Sequence, residues 1–165
     1  MKSLSIVLAA ATLIFLSSAA HTERAEATPG AEAPALQISN AEGMMSLAQQ
    51  RGKYVIVNFW SSDDPESRIA NALYDREFSK SQASEVNCIS VCTDSDRNMF
   101  EAIVKTDELQ TAHQYFHEDS RLGNILADYS RLGINTAYLI SPEGRVIAVN
   151  PDVDYVKSLL SAQRA

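Results

Sequence analysis

Cysteine is nearly absent: the 165 residues contain two, Cys88 and Cys92. They sit in "SEVNCISVCTD", where Val86, Cys88 and Val91 alternate with polar residues in the manner of a strand. Four residues of strand span roughly 13 Å, well beyond the roughly 7 Å allowed between disulfide-linked Cα atoms. The pair is therefore read as buried, unbridged thiols that behave as small hydrophobes. Clustered Lys and Arg are also missing, and 14 basic residues face 21 acidic ones for a net charge of −7. Such a chain is a poor candidate for binding nucleic acid or an anionic lipid surface. No cysteine follows the apolar N-terminal run, which excludes a lipid anchor on a Cys there. There is no internal repeat.

What is present first is a leader. Lys2 precedes "LSIVLAAATLIFL" and then the small residues "SSAA", with Ser18 and Ala20 in a small-x-small arrangement. The run is too short for a membrane anchor, so residues 1–20 read as a secretory signal. Its removal moves the net charge from −7 to about −8. The expectation is a soluble, exported protein, periplasmic in a bacterium, with no membrane insertion after cleavage. Residues 21–35, "HTERAEATPGAEAPA", are rich in Ala and Glu, broken by Pro29, Gly30 and Pro34, and read as a flexible tether. Residues 36–165 form one domain.

Within that domain, Ser39 or Asn40 is expected to cap a helix bearing Met44, Leu47 and Ala48 on one face. "YVIVNFW" is a nearly continuous apolar run, the pattern of a central strand covered on both faces. A helix over about 65–79 would turn Ile69, Ala72 and Leu73 inward. "EVNCISVCT" is a second strand, and "DRNMFEAIVKT" a helix with Met99, Phe100, Ile103 and Val104 on its apolar side. "TAHQYFHED" fits either a short strand or a loop. "SRLGNILADYSR" is helical by its Leu122, Ile125, Leu126 and Tyr129 spacing. "TAYLI" and "RVIAV" form a hairpin about "SPEG", and Val153, Val156 and Leu160 share one side of a last helix. The order predicts an α/β sandwich, a central mixed β-sheet flanked by helices.

This order resembles the thioredoxin-like fold, in particular the exported thiol–disulfide oxidoreductases of the TlpA and ResA type. "GKYVIVNFWSS" is similar to the strand that leads to that family's active site, with Arg68 where a basic residue follows its Cys-x-x-Cys. "YSRLGINTAYLISPEGRVIAV" is similar to its cis-proline loop and following hairpin. Laid over this chain, the resemblance puts Asp64 at the nucleophilic cysteine, Ser67 at the resolving cysteine and Asn135 at the cis-proline. Trp60, Arg68 and Thr136 are retained. A cysteine at a helix N-terminus works because the free N–H groups and the dipole lower its pKa, and a second thiol then resolves the mixed disulfide. Asp64 enjoys the same stabilisation but forms no bond that a thiol breaks. A cis bond before a non-proline residue costs roughly 3–4 kcal/mol, so a trans bond is expected before Asn135.

"DDPES" has a structural and a functional reading. Structurally, Asp64 caps a helix, Pro65 takes its first position and Glu66 its first turn. Functionally, Asp63, Asp64 and Glu66 form an acidic recognition patch beside Trp60, facing Asn135 and Thr136, for a protein or peptide partner carrying Lys or Arg. The same acids offer oxygen ligands to Ca²⁺ or Mg²⁺, with His113 and His117 as possible rim neighbours, but their spacing matches no binding loop. No metal or other cofactor is expected. A hydrolytic triad of Ser67, His117 and an Asp lacks any nucleophile elbow around Ser67. The leading expectation is a binding module that uses the former active-site groove without redox chemistry. The alternative is a thiol–disulfide oxidoreductase or peroxiredoxin-like antioxidant enzyme acting through Cys88, Cys92 or a partner's thiols.

Overall fold

A computed structural model describes residues 27–79, 86–116, 122–129 and 135–163. The signal expected over residues 1–20 lies outside them. Among the described residues, seven strands and four helices follow one another as β1 (Gln37–Asn40), β2 (Gly43–Ser46), β3 (Tyr54–Trp60), α1 (Pro65–Phe78), β4 (Val86–Cys92), α2 (Arg97–Thr106), β5 (Gln114–Phe116), α3 (Leu122–Tyr129), β6 (Ala137–Ile140), β7 (Val146–Val149) and α4 (Val153–Gln163).

The main sheet has the order β5-β4-β3-β6-β7. β3 pairs in parallel with β4, and β4 with β5, while β6 is antiparallel to β3 and β7 antiparallel to β6. All seven residues of β3 are buried, as its unbroken apolar run requires of a strand covered on both faces. On one face Val55, Val57 and Phe59 pack with Ile89, Val91, Tyr138 and Tyr129 of α3. On the other, Ile56, Cys88 and Leu139 meet Tyr74 and Phe78 of α1 and Val156 of α4. Trp60 and Cys92, at the carboxyl ends of β3 and β4, join Phe100, Ile103 and Val104 of α2 in a third cluster.

Three expectations are corrected. The helix expected over the early forties is a β1–β2 hairpin, followed by one 3-10 turn at Leu47–Gln50. Asn40 Oδ1 accepts the Glu42 N–H at 2.9 Å, closing a side-chain turn, and Gly43 takes φ 135°. Asn40 Nδ2 also reaches the carbonyls of Thr111 and Ala112, at 3.4 and 3.2 Å, which ties the hairpin to the approach to β5. Met44 is left 76% exposed.

The tether is the second correction. Its stretch from Ala27 onward lies along the free edge of β7: Gly30 N–H donates to Val146 O, Val146 N–H to Ala31 O, and Ala33 N–H to Gly144 O. Ala27 itself is core. A sheet edge left open invites mispairing, and this segment covers it.

The third concerns α1. Its buried face is Ser67, Asn71, Tyr74, Asp75 and Phe78, whereas Ile69 is 61% exposed. The neighbouring interior is polar, which an apolar-period reading overlooks. Asn58 Nδ2 donates to Asn71 Oδ1 at 3.4 Å, and the Asn71 and Gln114 amides exchange bonds at 3.2 and 3.3 Å.

Candidate functional site

The site lies beyond the carboxyl ends of β3 and β4, where parallel strands hand over to helices. Asp64 organises it. Backbone φ −109° and ψ 99° put Asp64 just outside α1, and its side chain accepts from the N–H groups of Glu66 (3.1 Å) and Ser67 (3.4 Å). Pro65 follows at a helix position that needs no N–H. The other carboxylate oxygen takes a bond of 2.9 Å from Asn135 Nδ2. That amide donates to Ser61 Oγ as well, at 3.2 Å, and its own oxygen accepts from the Thr93 hydroxyl at 3.1 Å. Ser61 in turn bonds Asp63. The Asn135 amide, more than the helix N–H groups, holds the Asp64 carboxyl below the usual carboxylate range.

Ser67 is buried and bonded within the turn. Its hydroxyl donates to Asp64 O at 3.1 Å and accepts the Ser61 N–H at 3.3 Å. Its proton is committed to the Asp64 carbonyl and the side chain is held inside the first turn of α1, so a nucleophilic Ser67 does not fit. His117 lies outside the described residues. His113 bonds the Cys88 carbonyl at 3.2 Å, level with the middle of β4 and away from the Asp64 end. No group of three or more His, Cys, Asp or Glu placed to hold a metal ion is found among the described residues.

Trp60 is not a groove wall. It is 0% exposed, with its ring 6.1 Å from that of Phe100, and its Nε1 has no partner among the described residues. An unpaired buried donor of this kind costs about 1–3 kcal/mol. Thr136 is also buried, and its carbonyl accepts the Phe59 N–H at 3.2 Å, so it anchors the Asn135 loop to β3. The peptide bond before Asn135 begins at residue 134, outside the described set, and the trans expectation stays with it.

Asp64, Glu66, Ser67 and Asn135 therefore share one cleft of about 580 Å³. Its far wall was not visible in the sequence. Asp152 and Asp154 enter from the start of α4, and Asn58 lines it from β3. Tyr74 OH donates to Pro151 O at 2.6 Å and fixes α4 against α1. Only the sheet order brings these segments together, so no local motif could have announced them. Arg68 does not face the cleft as a free cation. It makes two bonds of 2.6 Å to Asp107, locking α1 to the end of α2, and each partner reinforces the other's charged form.

Cys88 and Cys92 are free and buried, and belong to different core clusters. Burial pushes each thiol up to about 12. Neither is poised as a thiolate.

Among known structures, a thioredoxin-like protein from Parabacteroides distasonis is similar at 27% identity and TM-score 0.71, over 82% of this chain and 96% of that one. The thioredoxin domain of a thiol-disulfide oxidoreductase from Bacteroides vulgatus follows at 22% and 0.70, over 82% and 97%. A thiol:disulfide interchange protein from a Bacteroides species gives 21% and 0.69, over 82% and 89%. No curated protein is a significant match. The mixed five-stranded sheet and these neighbours make the fold thioredoxin-like. The AhpC/TSA family pattern matches residues 29–149. The chain belongs to the AhpC/TSA family.

Proposed function

We propose that this protein is an exported member of its family that has given up dithiol exchange and binds a protein or peptide in the cleft over Asp64. The observation that carries the reading is the engagement of Asp64 itself. Where the resemblance places a nucleophilic sulfur, one carboxylate oxygen caps α1 and the other is held by Asn135. The resolving position is a serine whose hydroxyl is spent inside the turn. Neither group can make or break a disulfide, and the two cysteines that remain are sealed in the core.

The cleft stays open after the sulfur is gone. Asp64, Glu66, Asp152 and Asp154 line it with the Asn58 and Asn135 amides, while the lining Arg76 and Lys157 are both paired with Glu77, so the balance stays acidic. Carboxylates and amide oxygens accept hydrogen bonds, so a segment carrying Lys or Arg suits it, and opposite charge speeds encounter. Export is supported by the leader-like residues 1–20. None of the described helices is long and apolar enough to cross a membrane.

The test is a comparative pull-down from the exported fraction with the protein and an Asp63/Asp64/Glu66→Ala variant. Partners should be retained by the first and lost by the second. Equal recovery of every partner would remove the acidic edge from the account.

A further inference from the structure

A second cavity, of about 760 Å³, lies between α2, β5 and the β1–β2 hairpin and shares no lining residue with the Asp64 cleft. Its size falls within the range of small-molecule sites, roughly 300–1,000 Å³. Phe100, Val104 and Leu109 form its α2 side, and Phe116 the β5 side. The Phe100 and Phe116 rings are 5.4 Å apart at a tilt of 38°. Such aromatic faces favour a flat ring system over a branched aliphatic chain.

The polar part of the lining is four charged side chains and the uncharged Ser39, Asn40, Thr111 and Gln114. The lining charges are Arg97 and Lys105 against Glu101 and Glu108, so their sum is zero. Arg97 is also paired with Glu101 at 3.6 Å and lies over the Phe116 ring at 4.8 Å. A charged guest would lose water without gaining a net counter-charge, which is unfavourable. Of the uncharged polar residues, Gln114 is the buried one, at 2% exposed. Its amide nitrogen and oxygen each make one bond to Asn71, which leaves one N–H and one lone pair.

We propose that this cavity is a binding site for one uncharged aromatic small molecule, its rings against the wall that Phe100 and Phe116 form together and one polar group on the Gln114 amide. The site is independent of the peptide cleft and stands or falls separately from it.

Trp60 is the only tryptophan in the chain and sits directly behind Phe100, so it reports on this wall. The probe is N-phenyl-1-naphthylamine, titrated into the purified protein while energy transfer from Trp60 is followed. A saturable signal with one molecule per chain is expected, weakened about tenfold or more by Val104→Phe, which fills the cavity. Changing ionic strength should leave the affinity unaltered, and the anionic 8-anilinonaphthalene-1-sulfonate should bind about tenfold more weakly. Because Val104→Phe overpacks a buried position, amide chemical shifts of the wild-type protein give a second reading. They should move at Val104, Leu109 and Gln114 and stay fixed at Asp64 and Asn135. Absence of saturation, tighter binding of the sulfonate, or shifts gathered at the Asp64 cleft would overturn the proposal.

Discussion

Replacing Asp64 by Ala removes three hydrogen bonds at once: two from backbone N–H groups at the start of α1 and one from Asn135. Loss of a helix cap costs about 0.5–2 kcal/mol. The Asn135 amide keeps Ser61 Oγ, so it adds only part of a further bond. The sum expected for Asp64→Ala is about 1–2 kcal/mol of unfolding free energy at neutral pH. Asp64→Asn separates the two contributions. Its carboxamide oxygen can still cap α1, but its NH₂ then faces the NH₂ of Asn135, and two donors do not bond. A loss of about 0.5–1 kcal/mol is expected, since a charge-assisted bond has gone. The pH dependence fixes the sign. The carboxyl of Asp64 is held low in the folded state, so its contribution is complete above the ordinary carboxylate pKa. It fades as pH falls through the folded value. Urea titrations of wild type and Asp64→Asn should therefore differ most at neutral pH and converge in acid. A gap that widens on acidification, or an Asp64→Ala variant as stable as wild type, would refute the reasoning.

Other outcomes follow from the same geometry. Both cysteines should resist alkylation in native buffer up to about pH 9 and react after denaturation, because burial pushes each thiol up to about 12. Arg68→Ala and Asp107→Ala should each destabilise by about 1–2 kcal/mol, and the double variant should cost little more than either, as measured by a double-mutant cycle in urea. Gly144→Ala should lower stability by about 1 kcal/mol or more by thermal melt, since φ there is 80° and a Cβ would meet the Arg51 guanidinium.

Much of the fold could be read from local pattern where one physical requirement dominated. "YVIVNFW" had to be a two-sided strand because all of it but Asn58 is apolar, and Asp64-Pro65 announced a helix start through capping chemistry. The β1–β2 hairpin was hidden because Met44, Leu47 and Ala48 also fit a helical spacing. What decides it is Asn40, which turns the chain locally and holds carbonyls more than 70 residues away. Helical period alone places Ile69 in the core, yet α1 meets the interior through the Asn58–Asn71–Gln114 amide chain, which an apolar pattern cannot show. The Asp64, Ser67 and Asn135 positions were visible through the resemblance. Asp152 and Asp154 were not, because α4 reaches the cleft only through the order β3-β6-β7. Trp60 looked like a groove residue by its place in the motif, whereas the ring turns into the α2 cluster.

The central claim, that the former redox position has become a binding cleft, is tested most directly by dithiothreitol-driven insulin reduction. Wild-type protein should precipitate insulin no faster than a no-protein blank. Asp64→Cys/Ser67→Cys, which restores the Cys-x-x-Cys spacing at the start of α1, should form a disulfide yet reduce insulin poorly, because Asp63 and Glu66 place negative charge beside the new thiolate. Turnover by the wild-type protein well above the blank, or a double-cysteine variant as fast as an ordinary thioredoxin, would contradict the account.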